Sequence, residues 1–237
     1  MFYTITIGNI SVSAYWTMLI LGAVSMGMCL HERKNRYGLA AWQCVALTVL
    51  LTVVGVAGAK TLFILENLQD TMENGISLGG VSFFGSVFLI PLIMPLVGRA
   101  FRQKGSATMD LCGPCVAIMI ACMRFGCFLS GCCGGWEAQI GAVCFTWPTQ
   151  AMEIVWDLAI VVMLLCWESR GKFSGALYPM FMVLYSSVRF FIEFLRDTPK
   201  DLLMLSRGQW YSLAAVAAGA AWVAMIHRAK ERSPGYE

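Results

Sequence analysis

Seven ionisable side chains stand inside or at the edge of long apolar stretches: Lys60, Arg124, Glu153, Asp157, Arg189, Glu193 and Arg196. Placing such a group at mid-bilayer costs roughly 2.5–3.5 kcal/mol, so each needs a function or a partner. Arg189, Glu193 and Arg196 recur at i, i+4 and i+7, which puts them on one face of a helix. A guanidinium grips phosphate through two parallel hydrogen bonds. A carboxylate among guanidiniums can orient them or take a proton. That set of groups suits a phosphate ester held at lipid-headgroup depth. The plainer readings are that Arg189 and Glu193 neutralise each other for insertion, and that Lys60 snorkels to the interface.

A second group is sulfur. The run MRFGCFLSGCCGG carries Cys127, Cys132 and Cys133, and Cys144 follows closely. The other six cysteines fall in apolar runs, where Cys behaves as a small hydrophobe. Outside the cytoplasm the four clustered thiols can form disulfides. Vicinal Cys132 and Cys133 without a histidine make a poor zinc pattern, because the usual spacing is C-x₂₋₄-C. Neither a metal nor a cofactor is expected. Glycines at 126, 131, 134 and 135 mark a place where backbone approaches backbone or ligand closely.

The elements that must position these groups follow from composition. Of 237 residues, 58% are hydrophobic and 13% charged, and the mean hydropathy is +0.68. Soluble domains carry about 25% charged residues. A soluble globule, a disordered chain and a basic nucleic-acid binder are therefore excluded. Apolar runs near 11–30, 41–65, 80–98, 108–127, 149–167, 175–196 and 208–226 are each long enough to span a bilayer. The expected fold is an all-α polytopic membrane protein, with residues 1–237 forming one seven-helix transmembrane domain.

Basic residues set the orientation. Arg33, Lys34, Arg36, Arg99, Arg102, Lys104, Arg170, Lys172, Arg228, Lys230 and Arg232 are eleven of the 17 lysines and arginines. All fall in alternate loops or the tail, which predicts a cytoplasmic C-terminus and an N-terminus outside. The first ten residues lack Lys and Arg, so no cleavable signal is expected. With this topology all seven ionisable residues lie in the outer half of the membrane. They form one expected polar site open to the outer leaflet.

The residues also resemble a known family in order along the chain. MRFGCFLSGC is similar to the prolipoprotein diacylglyceryl transferase signature G-R-x-G-N-F-x-N-G-E. Arg124, Gly126, Phe128 and Gly131 match it. Met123 replaces Gly, Cys127 and Ser130 replace the two Asn, and Cys132 replaces Glu. GAKTLFILEN around Lys60 resembles the family's second-span segment, and Asp110 and Pro114 its D-x-x-x-P. Pro148, Gln150 and Glu153 resemble H-P-x-Q-x-Y-E, with Trp147 for His and Met152 for Tyr. Tyr185, Arg189, Glu193 and Arg196 match Y-x-x-x-R-x-x-x-E-x-x-R, and Gln209 and Ser212 match G-Q-x-x-S. The family's third-span His is replaced by Phe84. The only histidines are His31 and His227, both near the cytoplasmic side.

The resemblance implies transfer of a diacylglyceryl group from phosphatidylglycerol to the lipobox cysteine of a prolipoprotein. It places that transfer at the outer leaflet of a bacterial plasma membrane, with no nucleic acid involved. Arg124, Arg189, Glu193 and Glu153 are the expected catalytic residues. Lys60, Gly126, Cys127, Ser130, Gly131, Gln150, Tyr185 and Arg196 are the expected substrate-binding ones. Two other readings stand beside it. One is an altered lipid-headgroup transferase, or a phospholipid-binding homologue lacking the original activity. The other is a thiol–disulfide or metal protein built on the clustered cysteines.

Overall fold

The computed structural model describes residues 4–7, 10–75, 80–140, 143–200 and 203–232. The chain opens with a hairpin of β1 (Thr4–Ile7) and β2 (Ile10–Ser13). Helices α1 (Ala14–Tyr37), α2 (Ala41–Glu66), the short α3 (Leu68–Asn74), α4 (Phe83–Ala100) and α5 (Gly105–Leu129) follow. A second hairpin, β3 (Glu137–Ile140) and β4 (Val143–Thr146), precedes α6 (Thr149–Ser169). The chain ends with α7 (Leu177–Ile192), continued by a 3₁₀ turn at Glu193–Leu195, and α8 (Arg207–Arg232). Seven of the helices are long and apolar enough to cross a membrane. The hairpins are the departure from an all-helical reading. The first span starts at Ala14 because Ile10–Ser13 pair as a strand, as the β-branched TITI and ISVS favour. The second hairpin occupies what the sequence suggests is a loop.

Helix α5 is the hub and packs against α1, α4, α6 and α7. Its buried positions run round the helix, from Met109 and Cys112 to Ile120 and Arg124. A helix apolar on all sides belongs inside a bundle. The outward faces of the other helices carry large exposed apolar residues, such as Ile20, Val45, Val155 and Leu92. A stripe of that kind faces lipid. Helices α2 and α4 meet backbone to backbone at Gly58 and Gly85, where a Cβ on either would collide with the other's carbonyl. Small residues allow such close crossings in apolar surroundings.

One end of the bundle is locked by a residue the sequence suggests is a loop cation. Arg33 is buried inside α1's last turns. Its Nε and Nη2 donate to Glu168 Oε2 and Oε1 at 2.8 and 2.7 Å. Its Nη1 and Nη2 donate to the carbonyls of Leu111 and Asp110. The Asp110 carboxylate in turn accepts from the backbone N–H groups of Gly175 and Leu177 and caps α7. At the same end Gln103 donates to Tyr37 O and Lys230 to Ser174 O. The basic segments therefore gather together, and helix alternation puts the other ionisable residues at the opposite end.

Candidate active site

At that opposite end, three elements deliver charge to one point. Arg124 comes from the last turns of α5, Glu153 from the second turn of α6, and Arg189, Glu193 and Arg196 from the end of α7. Glu153 joins them. Its Oε2 lies 2.5 Å from Arg124 Nε. Its Oε1 lies 3.2 Å from Arg189 Nη1 and 3.8 Å from Arg196 Nη1. Glu193 Oε2 pairs with Arg189 Nη1 at 2.6 Å and with Arg196 Nε at 4.0 Å. The two glutamates thus hold three guanidiniums at fixed spacing. Four of the five are buried, Arg124 and Glu153 each 4% exposed. The Arg124 guanidinium also sits 4.7 Å from the centre of the Phe83 ring, a favourable cation–π placement.

The start of α8 completes this cluster. Ser206 and Gln209 form a reciprocal cap: Ser206 N donates to Gln209 Oε1 at 2.9 Å, and Gln209 N to Ser206 Oγ at 3.3 Å. Ser206 Oγ and Thr198 Oγ1 both donate to Glu193 Oε1. The helix N-terminus carries partial positive charge, which favours a carboxylate there. Gly208 makes room, since a Cβ at that position would lie 3.1 Å from Glu193 Oε1.

The arginines line a cavity of about 550 Å³. Its wall also carries Phe84, Tyr185 and Tyr211, which form an aromatic cluster centred on Phe84. Tyr185 OH and Asp157 Oδ2 are buried and have no hydrogen-bond partner among the described residues. Arg207 and Glu66 lie at the mouth, with Arg207 Nη1 donating to Glu66 O and Ser82 Oγ to Glu66 Oε1. An apolar cleft between α1, α2, α4 and α5 shares Tyr15, Val81 and Phe83 with the polar cavity. The polar and apolar cavities therefore share one wall.

The cysteine loop forms another wall. Helix α5 ends in a Schellman turn: Gly131 takes φ +62°, Gly131 N donates to Phe128 O, and Cys132 N donates to Cys127 O. The turn folds the chain back onto the helix it just left. The sulfurs of Cys127, Cys132 and Cys133 consequently lie within 4.8 Å of one another. Thr149 Oγ1 donates to Cys133 O and Gln150 Nε2 to Cys132 O. Gly135 and Trp136 then pair with Trp147 and with the 3₁₀ turn. A hydrogen bond from Cys127, together with the charges of Arg196 and Arg124, pulls the Cys133 thiol below the ordinary thiol range against the effect of burial. Cys144 stands apart on β4, opposite Gln139.

Of the residues singled out from sequence, Arg124, Glu153, Arg189, Glu193 and Arg196 meet in one network, and Tyr185 and Cys127 line the same cavity. Lys60 sits on α2 beside Phe63 and Gly80. Its Nζ donates to Gly80 O at 3.3 Å and lies over the Phe63 ring. Gly126 faces Met18 of α1, and Ser130 caps α5. Gln150 supports the cysteine loop through Cys132 O. Ser206, Arg207 and Glu66 were missed. The S-x-x-Q pattern at Ser206–Gln209 before an apolar run is a legible helix start and could have pointed to the first of these.

The family model described as prolipoprotein diacylglyceryl transferase matches residues 3–225. Among curated relatives, the phosphatidylglycerol–prolipoprotein diacylglyceryl transferase of Clostridium tetani is 25% identical over 228 residues, covering 89% of this chain and 92% of the relative. The second such transferase of Clostridium perfringens is 26% identical over 229 residues, covering 89% and 90%. That of Nitrosomonas europaea is 27% identical over 249 residues, covering 94% and 89%. The match contains every element of the arginine–glutamate network and the cysteine loop beside it, so the chain belongs to the prolipoprotein diacylglyceryl transferase family.

Proposed function

We propose that this chain transfers the diacylglyceryl group of phosphatidylglycerol to the lipobox cysteine of a prolipoprotein. The observation that carries this reading is the convergence of Arg124, Arg189 and Arg196 on one cavity of about 550 Å³. In the reaction the acceptor sulfur attacks a glycerol carbon, the carbon–oxygen bond to phosphate breaks, and glycerol phosphate leaves. The phosphodiester has one negative charge, and the departing monoester gains a second. Fixed guanidiniums in a dry site stabilise charge that develops in this way. Three guanidiniums against two glutamates leave a cationic surplus for it. Arg124 and Arg189 are the catalytic residues, with Glu153 and Glu193 holding them in register. The arginine cavity, about 550 Å³ in volume, suits the headgroup of the donor lipid.

The site faces the outer leaflet of a bacterial plasma membrane in this reading, because the basic segments share the opposite end and mark the cytoplasm. The partners are the phospholipid donor and the prolipoprotein acceptor. The test is genetic: expression in a bacterium depleted of its own transferase, followed by the processing of a reporter prolipoprotein. Restored processing is expected. Accumulation of unmodified precursor, despite membrane insertion of the protein, would refute the assignment.

A further inference from the structure

We propose that Cys127, Cys132 and Cys133 form a three-thiolate site for a soft divalent cation, zinc by its chemistry, with a fourth position open to the cavity. The spacing C-x₄-C-C gives little hint of this in the sequence. The Schellman turn creates it by reversing the chain at Gly131, so that three sulfurs lie within 4.8 Å of one another. Sulfurs held at ~2.3 Å from a tetrahedral zinc lie ~3.8 Å apart. The three thiols therefore need only about an ångström of closure to serve as ligands.

Three further features fit a bound cation. The carbonyls of Cys132 and Cys133 are tied to Gln150 and Thr149 at the start of α6, which fixes the loop that carries two of the sulfurs. Three thiolates and one divalent ion sum to a single negative charge, and Arg124 and Arg196 stand on the wall of the same cavity to balance it. Finally, the three cysteines line the same cavity as the arginines, so an open coordination position faces the place where the reaction occurs. Sites with three protein ligands and one open position are the catalytic form of zinc, whereas structural sites are closed.

Resting on the transferase reading, the occupant of the open position is the acceptor thiol. Binding to the metal displaces the proton of that thiol to water in the cavity, since a coordinated thiol is deprotonated outright. The metal-bound sulfur then forms its bond to the glycerol carbon as the carbon–oxygen bond breaks, and the electron pair leaves with glycerol phosphate. No electron is gained or lost overall. The thioether product is a weaker ligand than the thiolate and departs. This supplies an activated nucleophile in a cavity whose wall has Phe84 and no histidine.

The experiment uses the full chain, purified in detergent, reduced, stripped with a chelator and titrated with cobalt(II) as a spectroscopic probe of the zinc site. One cobalt per chain is expected, with sulfur-to-metal charge-transfer bands and the visible bands of a tetrahedral ion. Cys132→Ser abolishes those bands and Cys144→Ser keeps them. A lipobox peptide shifts the visible bands when it carries cysteine and leaves them unchanged when it carries serine. In the unaltered chain zinc also protects Cys127, Cys132 and Cys133 from alkylation, which needs no variant to fold. Absence of charge-transfer bands, bands that survive in Cys132→Ser, no protection, or a disulfide among the three in place of metal binding would each overturn the proposal. A cobalt site in a chain that fails to restore prolipoprotein processing would refute the transferase reading alone. Restored processing that survives complete metal removal would refute the metal's role alone.

Discussion

Arg124 Nε lies 2.5 Å from Glu153 Oε2, and this one pair ties the last turns of α5 to the second turn of α6. Glu153 uses its other oxygen for Arg189 and Arg196, so its position organises all three guanidiniums at once. Glu153→Gln keeps the shape and removes the charge. It should lower transferase kcat/KM by about 100-fold, in line with losing one preorganised electrostatic element. The check is an assay in proteoliposomes with labelled phosphatidylglycerol and a lipobox peptide. A loss of only about threefold would place Glu153 outside the catalytic arrangement.

Arg189 and Arg170 make a matched contrast. Arg189 is buried and contacts both glutamates, whereas Arg170 is exposed in the turn after α6. Arg189→Ala should abolish turnover in inserted protein, and Arg170→Ala should leave it unchanged. Arg189→Lys should also remain poor, because an ammonium lacks the planar fork that reaches two oxygens together. Equal activity in Arg189→Lys and the unaltered chain would show that charge alone suffices.

Tyr185 separates a substrate contact from a structural one. Its hydroxyl is buried at the cavity wall with no hydrogen-bond partner among the described residues. Removing a buried unpartnered hydroxyl should not cost stability, so Tyr185→Phe should unfold at or above the temperature of the unaltered chain. If the hydroxyl serves the donor lipid, kcat/KM falls about tenfold, the weight of a hydrogen bond to a charged group. Unchanged kinetics would reduce Tyr185 to an aromatic partner of Phe84 and Phe181.

The parts of this molecule that were legible from sequence share one physical basis. Charges are costly in apolar stretches, so Arg124, Glu153, Arg189, Glu193 and Arg196 stood out, and helix periodicity placed the last three on one face. The parts that were hidden depend on chain reversal or on long-range pairing. Arg33 looked like one more basic residue beside Lys34 and Arg36, and only the tertiary fold brings Glu168 to it. Cys127, Cys132 and Cys133 lacked a recognisable ligand spacing because the turn at Gly131, not the separation in sequence, sets their distances. Gln150 looked like a substrate ligand by its place in a motif, yet its amide supports the carbonyl of Cys132. The two hairpins have strands of four residues, too short for alternation to distinguish them from loops.

The last prediction concerns the lock at the opposite end. Arg33, Glu168 and Tyr37 bind one another while Arg33 also holds the carbonyls of Asp110 and Leu111. None of these residues lines the arginine cavity. Removing one member leaves a buried, uncompensated charge, which typically costs 3–5 kcal/mol. Arg33→Ala should therefore lower stability by about 3 kcal/mol or more, measured by denaturant or thermal unfolding in detergent. Double replacement by apolar residues of similar length, Arg33→Met with Glu168→Leu, should recover most of that loss, because it removes both charges together. Turnover per folded molecule should be the same in all three proteins. If Arg33→Ala unfolds like the unaltered chain, the buried pair contributes no net stability. If the double variant is as unstable as the single one, the loss comes from the carbonyl contacts of Arg33 and not from the charge left behind.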